Sequence, residues 1–103
     1  MNKLLNATNA EREVIEKVKV KILDAIKHHI KKGYKNYEIT MDKQHSYHVR
    51  EERDIYILYH ALNILNKEFE FNNIPIIINR YYKSSEQDIF GSFDIAIVFT
   101  INK

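Results

Sequence analysis

Phe93, Ile95, Ile97, Phe99 and Ile101 alternate without a break, and Asp94, Ala96, Val98, Thr100 and Asn102 fill the places between them. A period of two marks a strand with one face on a core. A lone strand does not persist in water, so the chain must build a sheet around this segment from its own 103 residues. Residues 74–82 are the nearest source. They carry β-branched and aromatic side chains on both faces. Pro75 has no amide hydrogen to give to a ladder, so it fits a first strand position or an edge. The polar stretch 83–92, with Gly91 in it, is expected to join these two strands as an exposed hairpin loop.

Two segments change to helical spacing. Thr8-Asn9-Ala10-Glu11 fits a capping box. Ile15, Val18, Ile22, Ala25, Ile26 and Ile30 then recur on one side, Lys31-Lys32 suit the negative end of the dipole, and Gly33 supplies a left-handed stop. This predicts a helix over about residues 10–32. A second helix is predicted over 51–71, with Ile55, Leu58, Leu62, Leu65 and Phe69 as its main stripe. Between the helices, Tyr37, Ile39 and Met41 alternate with polar residues, as do Tyr47 and Val49. A hairpin turning at Asp42-Lys43-Gln44-His45 accounts for both runs; the competing reading starts the second helix early, at Ser46. The expected architecture is one α+β domain over 1–103. Its order is α-β-β-α-β-β, with an antiparallel sheet and both helices on one face.

Composition narrows the chemistry. Without cysteine there is no disulfide framework, thiolate nucleophile or iron–sulfur cluster. Two glycines are too few for a phosphate loop, and no dinucleotide fingerprint is present. No cofactor is expected. No apolar stretch reaches the ~20 residues of a membrane span, and the N-terminus lacks a signal-peptide core, so a cytoplasmic protein is expected. Ile, Lys and Asn are abundant, and their AT-rich codons suit a low-GC bacterium or its phage. The net charge is +2, with +4 in residues 1–53 and −2 in residues 54–103, a mild asymmetry.

The candidate chemical groups are few. His29 falls on the apolar side of the first helix and His28 on its charged side, where the dipole favours it. His45 and His48 form H-x-x-H near Asp42 and Glu52, residue types that ligate zinc, but on a hairpin the two imidazoles point to opposite faces. Metal binding is therefore not expected. Ser84, Ser85 and Ser92 lack a nucleophile elbow, and Glu51 and Glu52 diverge by about 100° on a helix. Arg53 and His60, seven residues apart, lie only about 20° apart around the second helix. This R-x6-H pair resembles the active-site pair of HEPN-type ribonucleases. The resemblance implies that an arginine and a histidine act on the RNA phosphate and 2′-hydroxyl. It covers these two residues and implies an all-helical fold, which the two C-terminal strands do not match.

Two binding surfaces remain. Tyr47, Arg50, Arg80, Tyr81, Tyr82 and Lys83 combine aromatic rings with cations, and Tyr34-Lys35 and the lysines of the first helix extend the pattern. Rings on a sheet stack on bases while cations neutralise phosphates, so nucleic acid is one candidate partner. The second surface is a further apolar stripe on the second helix. Ile57, Ile64 and Phe71 repeat every seven residues opposite the main stripe. Either the first helix covers it, or it forms an interface of Tyr56, Ile57, His60, Ile64 and Phe71 with a protein partner or a second copy. The reading adopted is a non-enzymatic protein-interaction module, a regulator or inhibitor of a larger machine.

Overall fold

The computed structural model describes residues 7–33, 37–41, 46–83 and 91–101. The elements follow the expected order: α1 (Asn9–Lys31), β1 (Glu38–Thr40), β2 (Tyr47–Val49), α2 (Glu52–Phe71), β3 (Ile76–Lys83) and β4 (Phe93–Ile101). The helix ends are set by local chemistry. The Glu11 amide donates to Thr8 Oγ1 at 3.1 Å and the Thr8 amide donates to Glu11 Oε1 at 2.8 Å, which completes the capping box. Gly33, at φ 75°, takes the left-handed conformation after α1 and donates its amide to Ile30 O at 3.0 Å. Asparagine does the same work after α2: Asn73 sits at φ 57°, and the Asn72 side chain donates to Glu68 O at 2.9 Å.

Every strand pairs with β4. β3 runs along one edge of it, and β1 and β2 lie in succession along the other, all antiparallel to it. The expected hairpin is therefore corrected. β1 and β2 do not pair with each other; they run in the same direction, as two parts of one interrupted edge strand. Residues 42–45, the expected turn, lie outside the described residues. Between Ile39 opposite Phe99 and Tyr47 opposite Ile95, the register against β4 steps by four residues. An even step preserves the side-chain alternation, so Ile39, Met41, Tyr47 and Val49 all reach the core. The competing early start of α2 is also set aside, because 47–49 is strand.

β3 solves the problem of having apolar residues on both faces with a bulge. Its register shifts by one between Ile78 opposite Phe99 and Arg80 opposite Val98. Asn79 is the extra residue. Before it, Ile76 and Ile78 share the face of Phe99; after it, Tyr81 does, opposite Ile97. The residues 84–90 of the expected loop, Ser84 and Ser85 among them, lie outside the described residues.

Both helices cover the face bearing Ile95, Ile97 and Phe99. The core joins these to Ile15, Val18 and Ile22 of α1 and to Leu58, Leu62, Leu65 and Phe69 of α2. The second stripe of α2 is divided by this packing. Ile64 belongs to the core, Ile57 is half-buried, and Phe71 is exposed.

The helix–helix contact is not only apolar. Glu68 is fully buried in the middle of the α2 stripe, and α1 supplies its partners. Arg12 Nη1 donates to Glu68 Oε1, and Lys19 Nζ stands 3.5 Å from Oε2. Beside this clamp, Glu11, the neighbour of Arg12, accepts a hydrogen bond at Oε2 from His60 Nδ1. The Thr8 amide first, and His60 second, hold the Glu11 carboxyl below the ordinary carboxylate value against the opposing effect of burial.

Two predictions follow from this contact. Arg12→Ala leaves the buried Glu68 carboxylate with Lys19 alone, and urea unfolding is expected to show a loss of about 3 kcal/mol. Glu68→Met, which removes the charge and keeps the volume, is expected to cost much less; a larger cost for Glu68→Met than for Arg12→Ala would contradict the clamp. Glu11 titrates lower in the folded chain, so its contribution is present above the ordinary carboxylate pKa and is lost as pH falls through the folded value. Glu11→Gln is therefore expected to be less stable than the parent near neutrality. The gap between them should close in thermal melts below about pH 4.

Candidate interaction surface

The bulge at Asn79 has a consequence for the surface as well as the core. It turns Tyr81 toward α2, where its ring meets Tyr59 with centroids 4.5 Å apart and planes inclined by 33°. Offset and tilted ring pairs of this kind are the favoured geometry. Tyr81 Oη donates to Asn63 Oδ1 at 3.3 Å. Burial, with Tyr81 and Tyr56 nearby, pushes the Tyr59 hydroxyl above the ordinary tyrosine value. Tyr56 stands three residues before Tyr59, on the same outer side of α2. Tyr59 and Tyr81 are half-buried, whereas Tyr56 is 67 % exposed. His60 flanks them, one turn after Tyr56.

The backbone beside these rings is an open strand edge. The Met41 amide donates to Ile97 O, so Ile97 turns its backbone groups toward β1. Tyr81 pairs with Ile97, and in an antiparallel ladder its own N–H and C=O then point away from β4. At Ile78 the corresponding outward groups are closed off. The Ile78 amide donates to Asn66 Oδ1 at 2.7 Å, and Asn66 Nδ2 donates to Ile78 O at 2.9 Å. The edge is thus closed at Ile78 by Asn66 of α2, and among the described residues nothing closes it at Tyr81, next to the aromatic rings.

A concave feature lies at the start of α2, close to the turn that carries Tyr56. A groove of about 320 Å³ runs between the start of α1, β2 and the start of α2, lined by Val14, Lys17, Tyr47, Arg50, Asp54 and Ile57 among others. Burial first, then Asp54 and Glu13, raises the Tyr47 hydroxyl above its ordinary pKa.

The residues proposed for nucleic acid are dispersed by this fold. Tyr47 is buried and Arg50 is in the groove. Tyr81 stacks against α2. Arg80 and Tyr82 occupy the sheet face turned away from the helices, with Arg80 Nη1 at 4.0 Å from Glu38. Lys83 Nζ lies 4.8 Å from the Phe93 ring centroid. Tyr34 and Lys35 are outside the described residues. The histidines are dispersed too. His48 Nδ1 bonds to Asp94 across the outer sheet face, His45 and Asp42 lie outside the described residues, and His28 and His29 are half-buried on α1. Among the described residues no three His, Asp or Glu side chains converge as a metal site. Arg53 and His60 do not meet either: Arg53 Nε is 2.9 Å from Glu51 Oε2, and His60 is bound to Glu11. The sheet also sets the chain apart from the all-helical HEPN architecture.

Of the five residues proposed for a protein partner, Tyr56, His60 and Phe71 are exposed, Ile57 lines the groove, and Ile64 is enclosed. Sequence reasoning missed Tyr59 and Asn63 as surface partners of Tyr81. The pairing depends on the bulge, and its hints in the sequence are the apolar residues on both faces of 74–82 and the adjacent polar pair Asn79-Arg80 that interrupts them. No family model, no curated protein and no solved structure matches this chain.

Proposed function

We propose that this domain is a non-enzymatic protein-interaction module, which takes an extended segment of a partner protein along the Tyr81 edge and the outer side of α2. The observation that carries the reading is the exposed Tyr56 beside the stacked Tyr59 and Tyr81, with an open strand edge alongside. Tyrosine offers a large rigid surface with a polar tip, and it is enriched at protein interfaces. An added strand satisfies the outward backbone groups of Tyr81, and its side chains reach Tyr56 and His60. In this reading the module regulates or inhibits a larger cytoplasmic machine. None of the described helices is long and apolar enough to cross a membrane.

The test is affinity capture from the source cell with the parent protein and with Tyr56→Ala, whose exposed ring contributes little to folding. The parent is expected to retain a defined protein and Tyr56→Ala to lose it by about tenfold or more, the scale of an interface hot spot. Equal capture by both would remove the surface from consideration. Material that elutes with salt and absorbs at 260 nm would favour the nucleic-acid reading instead.

A further inference from the structure

The outer face of α1 carries a pattern of its own. Glu13, Glu16, Val20, Leu23, Lys27 and Ile30 follow one another at alternating spacings of three and four, which is a single seam along a helix. All six are exposed, and the three apolar ones strongly so, at 58 % for Val20, 54 % for Leu23 and 69 % for Ile30. The seam is turned away from the buried row of Ile15, Val18, Ile22 and Ala25, and it takes in Ile30, which the expected stripe groups with that row but which lies at the exposed end of α1. It is acidic toward the start of the helix, apolar in the middle and basic toward the end, where Lys31 adjoins Lys27 and Ile30. Glu16 also meets Lys19 at its flank, with Oε2 3.2 Å from Nζ. The helix dipole favours this order of charges, but it gives no reason for Val20, Leu23 and Ile30 to stand in water between them.

We infer that this seam is the contact of a two-fold homodimer in which α1 packs antiparallel on α1 of a second copy. Place the two-fold axis across the seam, midway between Val20 and Leu23. Val20 then meets Leu23 of the second copy and Glu16 meets its Lys27, both about that one centre, while Glu13 falls opposite its Ile30, next to Lys31. The seam is self-complementary only in this direction. A parallel pair would set Glu16 against Glu16 and Lys27 against Lys27, and like charges across an interface are strongly disfavoured. The surface shares no residue with Tyr56, Tyr59 or Tyr81, so the dimer leaves the partner site on α2 and β3 open and doubles it. The inference is independent of what that site binds.

The test is a charge-exchange cycle read by sedimentation velocity from micromolar to hundreds of micromolar protein, with circular dichroism to check folding. The parent is expected to dimerise. The double variants Glu13→Lys/Glu16→Lys and Lys27→Glu/Lys31→Glu should each associate at least about tenfold more weakly, because each places like charges across the axis. An equimolar mixture of the two should recover the dimer as a heterodimer, since the reversed charges then face their opposites. Leu23→Glu should be monomeric. A parent that stays monomeric throughout the range overturns the inference. So does a dimer that survives Leu23→Glu, or a mixture that fails to recover association.

Discussion

β4 is the strand on which the rest of the domain is hung. β1, β2 and β3 all make their ladders with it, and its alternate residues Ile95, Ile97 and Phe99 are the floor on which both helices rest. A central strand in a small sheet has no freedom of register. A slip of one residue would send that whole row to the outer face and bring Asp94 and Thr100 under the helices. Ala96 and Val98 are nearly or fully buried as well, although alternation puts them on the other face. On that face Arg80 and Tyr82 of β3 stand opposite Val98 and Ala96, and the regular alternation of Phe93 to Ile101 is why the C-terminal segment reads so strongly as a strand.

Much of the fold is legible for that reason. Both helices, their stops at Gly33 and after Phe71, and the two long strands all appear in the periodicities and punctuation of the sequence. The arrangement of β1 and β2 does not, and the cause is parity. Alternation reports which residues share a face, but it is blind to any even step in register. Tyr37, Ile39, Met41, Tyr47 and Val49 stay in phase across a hairpin and across a four-residue step in one edge strand alike. Only the choice of partner separates the two, and that choice is made by β4, some fifty residues away. The bulge at Asn79 is hidden by the opposite effect. An odd step changes faces, and its one local mark is the pair Asn79-Arg80, two polar neighbours that break the alternation among residues 76–82 but do not by themselves distinguish a bulge from an exposed edge.

The buried carboxylate shows a different limit. Glu68 stands between Leu65 and Phe69 in the apolar stripe of α2, and a charge in such a row can always be read as a residue at the edge of the face. Arg12 and Lys19 are seven residues apart and so share a side of α1, yet nothing local connects them to a glutamate more than forty residues further on. The pairing emerges once the helices are docked. It then does what apolar contacts do poorly: it favours one relative placement of the helices over others, because a buried carboxylate without its cations is costly. Glu11 adds a second fixed point, with one carboxylate closing the α1 cap and binding His60 of α2.

That docking also explains where open surface is left. α1 and the body of the domain enclose Ile64 and half-enclose Ile57, so the seven-residue stripe that looked like one interface is spent largely inside. The aromatic surface lies further round α2, where the layer of helices ends and the sheet edge begins. Asn66 there closes the edge at Ile78 and leaves it open at Tyr81, one bulge away. In the proposed reading, an edge closed at Ile78 by a side chain leaves an added strand only the stretch around Tyr81. The stacked Tyr59 and Tyr81, with Tyr56 beside them, stand at that stretch. Geometry of this kind limits which segment can add and where. A mere abundance of exposed tyrosine would not.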